Sequence, residues 1–498
     1  MTTPPLISQL PVHECYTAEY FELSRMLPIS STDGRMLVAV AGAADPDALT
    51  DLRLYFDVVL EFQEVSDEQL SEAIRRTFAA QESVVELVRD LGTGDFGADL
   101  DTDAPLADVR DLAAQPPVIR FVNLLIREAH DAAASDIHLE ATREGLRVRM
   151  RVDGVLSDLP APPVSLQAAV ISRIKLLAEL DIAERRTPQD GRIRVRLEAR
   201  ELDIRVSTVP TLIGESVVLR LLDRGGGKIS LDQLGMGAET LAEFSRLAQR
   251  PHGIVLATGP TGSGKTTTLY AALGLRHAAE EKIITVEDPV EYHLSGVTQV
   301  PVHSKAGVTF ASALRSILRQ DPDVLMVGEM RDPETAGIAV QAAMTGHLVF
   351  STLHTNDAVS ALTRLKDLGV KPYMVAATVE AILAQRLVRR ICADCRESYV
   401  PEPGVLALLG AVLRPGTQLV RGQGCERCRQ TGFRGRVGLF ELLVLREEIR
   451  DDLLAHAGLP VLRERAQSLG MVSLLEDGWR KAQAGLTTVE EVLRVVQC

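Results

Sequence analysis

The feature that most constrains this chain is a phosphate-binding loop placed between an apolar strand and a helix. Segment 253–273 reads GIVLATGPTGSGKTTTLYAAL and contains the full G-x-x-x-x-G-K-[ST] pattern. Glycines let the loop fold so that backbone N–H groups converge on phosphate oxygens at the amino end of a helix. Such a loop predicts a nucleotide site in an α/β sheet. The predicted ligands are Gly259, Pro260, Thr261, Gly262, Ser263, Gly264, Lys265 and Thr266.

Two side chains of this loop have separate predicted roles. Lys265 would supply a positive charge to the β- and γ-phosphates of ATP. The hydroxyl of Thr266 would reach Mg²⁺. ATP and Mg²⁺ are therefore the expected ligands of this site.

Three downstream apolar segments are predicted strands that deliver polar residues to one edge of the sheet. They are KIITVEDPVEY (282–292), DPDVLMVGEMRD (321–332) and GHLVFSTLHTND (346–357). Open parallel sheets bind ligands beyond the carboxyl ends of their strands. A carboxylate there could hold Mg²⁺ or position water, and a histidine there could sense the γ-phosphate. The candidates are Glu287, Asp288, Glu291, Glu329, His347 and His354.

In this order, the four segments resemble the motifs of the ATPases of type II secretion and type IV pilus assembly. The P-loop, ITVEDPVEY, LRQDPDVLMVGEMRD and TGHLVFSTLHTNDA match the Walker A motif, Asp box, Walker B motif and His box, respectively. The resemblance runs from about Gln115 to the C-terminus. Gly328 stands where an ordinary Walker B strand carries its metal-binding Asp, which leaves Glu329 as the metal or water ligand.

The resemblance also implies an activity and an assembly. It implies ATP hydrolysis by a ring, usually a homo-hexamer, with Glu291 and Glu329 as the leading catalytic carboxylates. Lys265 and His354 would belong to the same catalytic site. Sequence alone does not rank the two glutamates as general base.

Arginines form a second group of candidates. Nine of them lie between Arg185 and Arg224, and many alternate along predicted strands, which indicates a solvated sheet face. Arg205 and Arg220 are different because the resemblance places them where they approach the nucleotide; an arginine finger accelerates hydrolysis by ~10³–10⁵. Arg315 and Arg319 are weaker candidates for the same approach to the nucleotide.

Four of the six cysteines form two C-x-x-C pairs separated by 29 residues. Disulfides are not expected in a cytosolic chain, and two such pairs suit tetrahedral Zn²⁺. Spacing alone leaves reduced thiols open, but the resemblance favours zinc because the assembly ATPases carry a tetracysteine subdomain. We predict a structural zinc site at Cys392, Cys395, Cys425 and Cys428 and isolated thiols at Cys15 and Cys498.

The predicted fold class is α/β. A RecA-like P-loop ATPase domain follows a PAS-like α+β domain and a small acidic α/β domain, and it carries a zinc-binding subdomain. The boundaries are 1–92 for the acidic docking domain, 93–112 for a linker, 113–224 for the PAS-like domain, 225–230 for a hinge, 231–390 for the ATPase domain, 391–435 for the zinc subdomain and 436–498 for a helical end.

Charge is concentrated at the N-terminus. Residues 1–100 contain six arginines, no lysine and 18 acidic residues, which gives −12 of the total −14. This asymmetry predicts an acidic module with its own partner. By resemblance, residues 1–92 would bind the cytoplasmic domain of an inner-membrane secretion platform protein.

The same composition limits the location and the class of ligand. The longest apolar run is far shorter than the ~20 residues of a membrane span, and the N-terminus is not a signal peptide. We therefore expect a cytoplasmic protein, peripheral at the inner membrane only through its partner. The net negative charge, and the lack of a segment in which basic and aromatic residues alternate, argue against a nucleic-acid translocase.

The preferred interpretation is a motor ATPase that drives pseudopilus assembly in type II secretion. The alternative is the extension ATPase of a type IV pilus, which shares every catalytic motif but often has a longer N-terminal region. A scaffold with a purely structural ATP site is also conceivable. The presence of Lys265, Glu291 and Glu329 together argues against it.

Overall fold

The computed structural model describes most of the chain in two compact units. One unit contains residues 1–197 and 203–221, and the other contains residues 198–202 and 222–498. The glycine hinge at 225–227, nearly all of the predicted linker, Cys15 and Cys498 lie outside the described residues. Those described are 18–32, 35–42, 44–56, 58–79, 84, 87–88, 112–197, 200–223, 229–401 and 418–496.

The first unit begins with a three-stranded sheet in order β1-β2-β3, in which β2 pairs antiparallel with β1 and parallel with β3. Ser66 caps the third helix: its hydroxyl accepts the Gln69 N–H while its own N–H donates to the Gln69 side chain. The elements are α1 (Ala18–Ser24), β1 (Met26–Thr32), β2 (Arg35–Val40), α2 (Pro46–Phe56), β3 (Val59–Glu64) and α3 (Asp67–Ala79).

The same unit contains a six-stranded sheet in order β6-β5-β4-β9-β8-β7, which is the predicted PAS-like α+β module. Asp153 and Gly154 have φ values of 49° and 84° and form the two-residue turn between β5 and β6. The elements are α4 (Pro116–Asp131), β4 (Ala134–Thr142), β5 (Gly145–Val152), β6 (Val155–Leu159), α5 (Gln167–Leu177), β7 (Gln189–Leu197), β8 (Arg200–Pro210) and β9 (Glu215–Asp223).

The second unit is built on a seven-stranded sheet in order β12-β11-β13-β14-β10-β15-β18. Its strands are parallel except β18, which pairs antiparallel with β15. Up to the end of β15 its elements are α6 (Ala238–Ala248), β10 (Gly253–Thr258), α7 (Lys265–Leu273), β11 (Ile283–Glu287), β12 (Thr298–Pro301), α8 (Phe310–Ile317), β13 (Val324–Val327), α9 (Pro333–Met344), β14 (Leu348–Leu353), α10 (Ser360–Asp367), α11 (Pro372–Thr378) and β15 (Val379–Ile391).

Both faces of this sheet are covered, which explains the continuous apolar character of its strands. Along β10, Ile254 and Leu256 pack into the core that contains α8, α9 and α10. The alternate residues Val255 and Ala257 pack into the core that contains α6 and α7. The polar chemistry is consequently concentrated at the strand ends, with a few buried polar side chains, such as Gln385 and Arg386 on β15, inside the strands.

The C-terminal region departs from the prediction of a purely helical end. Residues 436–444 belong to β18, so the segment with the cysteines is an insertion between two neighbouring strands of the central sheet. The remaining elements are β16 (Arg396–Tyr399), β17 (Leu419–Gly422), β18 (Phe433–Val444), α12 (Glu447–Leu454), α13 (Leu459–Ser468), α14 (Leu474–Gln483) and α15 (Val489–Val496).

Candidate nucleotide site and cysteine cluster

The P-loop joins the carboxyl end of β10 to the amino end of α7, as the motif predicts. Gly259, Gly262 and Gly264 have φ values of 149°, 78° and 87°, a region that favours glycine. A Cβ on Gly259 would lie 2.5 Å from the Gln385 carbonyl oxygen, and one on Gly264 would lie 2.8 Å from Gln385 Nε2. The loop is therefore shaped by its packing against β15 as well as by its own turn.

Lys265 lies inside the cradle formed by this loop. Its ammonium group donates hydrogen bonds to the carbonyl oxygens of Gly259 (2.8 Å) and Pro260 (2.9 Å). Burial is the main reason that the pKa of Lys265 is lowered to about 8; the negative charge of Glu329 opposes this shift and the positive charge of Arg386 adds to it. The lysine is thus held close to where phosphates would bind.

An unsatisfied hydroxyl supports the assignment of this loop as a phosphate site. Ser263 is 3% exposed, and its Oγ has no hydrogen-bond partner among the described residues. A buried polar group without a partner costs free energy unless a ligand or water satisfies it. Pro260, Thr261 and Gly262 are exposed, and Thr266 is half-buried on the first turn of α7. The loop therefore fits a nucleotide phosphate, with Mg²⁺ near Thr266.

Glu329 follows β13 at the same edge of the sheet. It is 8% exposed, and its Oε2 lies 2.6 Å from Arg331 Nε and 3.3 Å from His354 Nε2. His354 follows β14, so two neighbouring parallel strands bring the predicted Walker B and His-box residues together. Gly328 packs tightly, since a Cβ there would lie 3.3 Å from the Val286 carbonyl oxygen.

The structure assigns Glu287 a different environment from the predicted nucleotide contact. This carboxylate is 2% exposed and accepts hydrogen bonds from the hydroxyls of Tyr270 and Thr285 and from the Gln299 amide, the last at 3.2 Å. Burial, reinforced by the Glu287 charge, raises the pKa of Tyr270 above its usual range. Three protein donors satisfy Glu287, so its visible role is to hold β11 against α7.

Asp288 and Glu291 are exposed on the segment that follows Glu287. The backbone of Glu291 hydrogen-bonds to the Tyr270 hydroxyl. The Asp-box segment is thereby attached to α7, the helix that begins at the P-loop. The catalytic role predicted for the exposed Glu291 carboxylate stays a prediction.

His347 lies at the opposite edge of the sheet from the P-loop. It precedes β14, and its carbonyl oxygen accepts the N–H of Gly253 (3.1 Å), the first residue of β10. Its Nδ1 is 2.9 Å from the Ala342 carbonyl oxygen. The P-loop follows the last residue of the same strand β10. The structure therefore does not bring His347 to the P-loop of its own subunit.

The candidate arginines already have polar contacts. Arg315 pairs with Glu334 on α9, and Arg319 donates to the Arg315 carbonyl oxygen (3.0 Å). In the first unit, Arg220 on β9 pairs with Asp136 on β4 at 2.9 Å, and Arg205 is half-buried on β8. Their approach to a nucleotide remains a prediction.

Several residues at the site escaped the sequence analysis. Gln385 and Arg386 lie on β15 behind the P-loop, and the Gln385 side chain accepts a hydrogen bond from Thr268 (2.7 Å). Thr258, at the end of β10, accepts the Thr355 N–H (2.9 Å). The available signal was the Gln-Arg pair inside the otherwise apolar run VEAILAQRLV, because buried polar residues need a structural or functional partner.

The four cysteines of the C-x-x-C pairs form one cluster, with their sulfur atoms all within 4.8 Å of one another. The Sγ–Sγ distances are 3.9 Å for Cys392–Cys425, 3.8 Å for Cys395–Cys428 and 3.6 Å for Cys425–Cys428. Tetrahedral zinc with Zn–S bonds of about 2.3 Å gives sulfur separations of about 3.8 Å. A disulfide requires about 2.05 Å, so the cluster fits a metal and not a disulfide pair.

Backbone donors also suit a thiolate ligand at this cluster. The N–H groups of Cys425 and Gly432 point to Cys428 Sγ at 3.1 and 3.3 Å. Burial raises the pKa of the Cys428 thiol, but these donors outweigh that effect and lower its pKa below the usual range. Metal ligation requires the thiolate form. The donor set and its surroundings thus fit a structural metal site.

Sequence comparison places this chain in a known family. A family model described as "Type II/IV secretion system protein" matches residues 111–494. The chain is 50% identical over 441 residues to the type II secretion system protein HxcR of Pseudomonas aeruginosa, covering 87% of this chain and 89% of that protein. It is 44% identical over 497 residues to the type II secretion system protein E of Xanthomonas campestris, covering 99% and 87%.

A pilus protein is also similar. The type IV pilus assembly ATPase PilB of Myxococcus xanthus is 42% identical over 483 residues, covering 95% of this chain and 85% of that protein. Among solved structures, the Legionella pneumophila ATPase DotB has a TM-score of 0.57 at 21% identity and covers 76% of this chain and 95% of its own. The pilus retraction motor PilT with bound ADP has a TM-score of 0.52 at 26% identity, covering 74% and 95%.

Fold and site together define a RecA-like P-loop ATPase. The chain belongs to the family of type II/IV secretion system proteins, whose model covers more than half of its length. Its P-loop, Glu329 and His354 meet at the carboxyl edge of one parallel sheet, which is where this class of fold binds its ligand.

The ionisation of Lys265 predicts how nucleotide affinity depends on pH. In the protein without nucleotide, the pKa of Lys265 is about 8, and the charged ammonium form is the one that binds phosphate. Binding should therefore be coupled to proton uptake above this pH, so the affinity for ADP should fall about 15-fold between pH 8 and 9.5, with a slope that approaches ten-fold per pH unit at the upper end of this range. Titrations with a fluorescent ADP analogue measure this. The Lys265→Arg variant stays charged and should have a flat profile; a flat wild-type profile would contradict the assignment.

Proposed function

We propose that this ATPase drives pseudopilus assembly, and with it protein export, in a type II secretion system. The observation that supports the choice of machine is the similarity, at 44–50% identity over most of the chain, to proteins named for type II secretion. The similarity to PilB keeps pilus extension as the second candidate, since that relative also matches over nearly the whole chain.

ATP would supply the reacting phosphate chain, and Mg²⁺ would supply positive charge that stabilises it. Lys265 exchanges its bonds to the Gly259 and Pro260 carbonyl oxygens for bonds to phosphate oxygens. The buried Ser263 hydroxyl, which has no partner among the described residues, would donate to a phosphate oxygen. The Thr266 hydroxyl would be a ligand of Mg²⁺. Backbone N–H groups at the start of α7 complete the anion site.

Glu329 is the better placed of the two candidate carboxylates. It is buried between His354 and Arg331 and lies close enough to Lys265 for its negative charge to act on the lysine. We assign Glu329 to the positioning of Mg²⁺ or of the attacking water, with His354 orienting the carboxylate. Glu291, exposed on the Asp-box segment, is the second carboxylate and acts when the segment faces bound nucleotide.

The remaining assignments concern assembly and location. We propose a homo-hexamer in which Arg205 and Arg220, and more weakly Arg315 and Arg319, neutralise phosphate charge. None of the described helices has the length and hydrophobicity needed to cross a bilayer. We therefore propose that the protein is cytoplasmic and reaches the inner membrane through a platform protein bound by residues 1–92.

Surface chemistry of the first sheet supports that docking role. Its edge strand β3 exposes Val59 (60%) and Phe62 (55%) beside acidic residues. An unpaired strand edge with exposed apolar side chains is a suitable surface for a protein partner.

We further propose that Cys392, Cys395, Cys425 and Cys428 hold Zn²⁺ as a structural ion. All four tetrahedral positions are filled by thiolates, which leaves none for substrate. The ion would join the two ends of the insertion between β15 and β18.

Mutation of Glu329 tests the enzymatic assignment. Glu329→Gln keeps the shape of the side chain but removes its charge, so turnover of ATP should fall by about 10²-fold or more. Binding of ADP, which depends on the P-loop, should remain close to wild type. Phosphate release by the full chain is the measurement. The matched control is the exposed Glu239→Gln. Wild-type turnover by Glu329→Gln would contradict the assignment.

Metal analysis tests the zinc assignment. The purified chain should contain one Zn²⁺ per molecule by elemental analysis, and Cys428→Ser should lose most of it, because three thiolates bind zinc more weakly than four. Chelation should lower the midpoint of thermal unfolding of the wild type and leave that of Cys428→Ser unchanged. Full zinc occupancy in Cys428→Ser would show that this cysteine is not a ligand.

Binding to a platform protein tests the choice of machine. The full chain should bind the cytoplasmic domain of the secretion platform protein and not that of the pilus platform, because its relatives at 44–50% identity are named for type II secretion. Phe62→Ser should weaken this binding about ten-fold through the loss of apolar contact. Val461→Ser, at another exposed apolar position, is the matched control. Selective binding to the pilus platform would favour the second candidate.

A further inference from the structure

Residues 354–358 form a turn at the end of the His box. It begins at His354, whose ring nitrogen lies 3.3 Å from Glu329. The turn is exposed at His354 and Asn356, so apolar packing cannot by itself fix its conformation. Hydrogen bonds from neighbouring strands must therefore hold the imidazole in place.

Residues on three neighbouring strands hold the turn. The Thr355 N–H donates to the Thr258 hydroxyl at the end of β10 (2.9 Å). The Ala358 N–H donates to the Glu441 carboxylate on β18 (2.8 Å). Between these two points, the Asn356 carbonyl oxygen accepts a hydrogen bond from Arg386 Nη2 (2.9 Å). Arg386 thus holds the middle of the turn.

Arg386 also touches the P-loop. Its Nη1 would lie 3.1 Å from a Cβ on Gly259, and the same nitrogen donates to the Gln385 carbonyl oxygen (3.2 Å). The residue is 5% exposed. One guanidinium therefore spans the first glycine of the phosphate-binding loop and the turn that carries His354.

We propose that Arg386 is a positioning residue for ATP hydrolysis, which holds the turn carrying His354 in register with the phosphate-binding loop. This inference rests on the roles assigned above to His354 and Glu329. Arg386 donates to the backbone carbonyl oxygens of Asn356 in the turn and of Gln385, which packs against the P-loop, so it acts through the placement of His354. Small misplacements of a catalytic group are costly, and a shift of about 1 Å can reduce the rate about 10²-fold.

The planar fork of arginine is essential to this role. Its two terminal nitrogens reach the Gln385 and Asn356 carbonyl oxygens at the same time. A lysine would keep the positive charge next to Lys265 but has a single nitrogen and cannot reproduce the fork. Arg386→Lys therefore separates positioning from a simple electrostatic effect, and Arg386→Gln removes both.

The experiment measures kcat, ADP affinity and hydrogen exchange in the full-length Arg386→Lys and Arg386→Gln variants. The matched control is Arg390→Gln, an exposed arginine four residues later on the same strand. We expect kcat to fall at least about ten-fold in both Arg386 variants while ADP affinity remains near wild type, because the P-loop itself is intact. The amides of Thr355 and Ala358 should exchange faster in both variants, and those of α7 should not.

Two results would overturn the proposal. Arg386→Lys with wild-type kcat would show that only the charge matters, and parallel losses of kcat and ADP affinity would show a general collapse of the P-loop. If Arg386→Gln does not fold, the kcat and exchange data of Arg386→Lys decide the question. Absence of turnover in the wild type and in Arg390→Gln would instead contradict the ATPase assignment itself.

Discussion

The structure of the second unit depends on the parallel hydrogen bonding of β10 between β14 and β15. This pairing places the carboxyl end of β10, from which the P-loop leaves, beside the turn after β14 on one side and beside Gln385 and Arg386 on the other. Lys265, His354 and Arg386 are far apart in the chain, yet the ladder brings them to one edge. A change in the register of β15 by one residue would move the Gln385 side chain and the Arg386 side chain each to the other face of the sheet.

Buried polar groups at this edge are nearly all satisfied, and the exception is informative. Glu287 accepts three hydrogen bonds and Lys265 donates two, so both are compatible with burial. Ser263 is the group on the P-loop that lacks a partner among the described residues. Ser263 is thus the group that awaits a ligand, and the three donors of Glu287 indicate a structural role for that carboxylate. The two carbonyl partners of Lys265 differ from these donors because phosphate oxygens can replace them.

Sequence reasoning identified the P-loop, the parallel strands and the cysteine pairs because each has a local pattern with a physical cause. The glycines of 259–264 and the spacing of the two C-x-x-C pairs are examples. It could not place residues that meet only through the sheet. His347 and His354 bracket the same strand and looked equivalent, but strand direction puts them at opposite edges. Likewise, the pairing of β18 with β15, on which the cysteine insertion depends, had no local signal.

The most direct test of this account is the structure of the chain bound to Mg²⁺ and a non-hydrolysable ATP analogue. We predict that the Lys265 ammonium leaves the Gly259 and Pro260 carbonyl oxygens for the phosphates, that Ser263 gains a phosphate partner, and that Glu329 faces the metal. The account would be contradicted if the analogue bound elsewhere and left Lys265 on the two carbonyl oxygens. One such place is the 490 Å³ cavity lined in part by Tyr270, Tyr292 and Leu294.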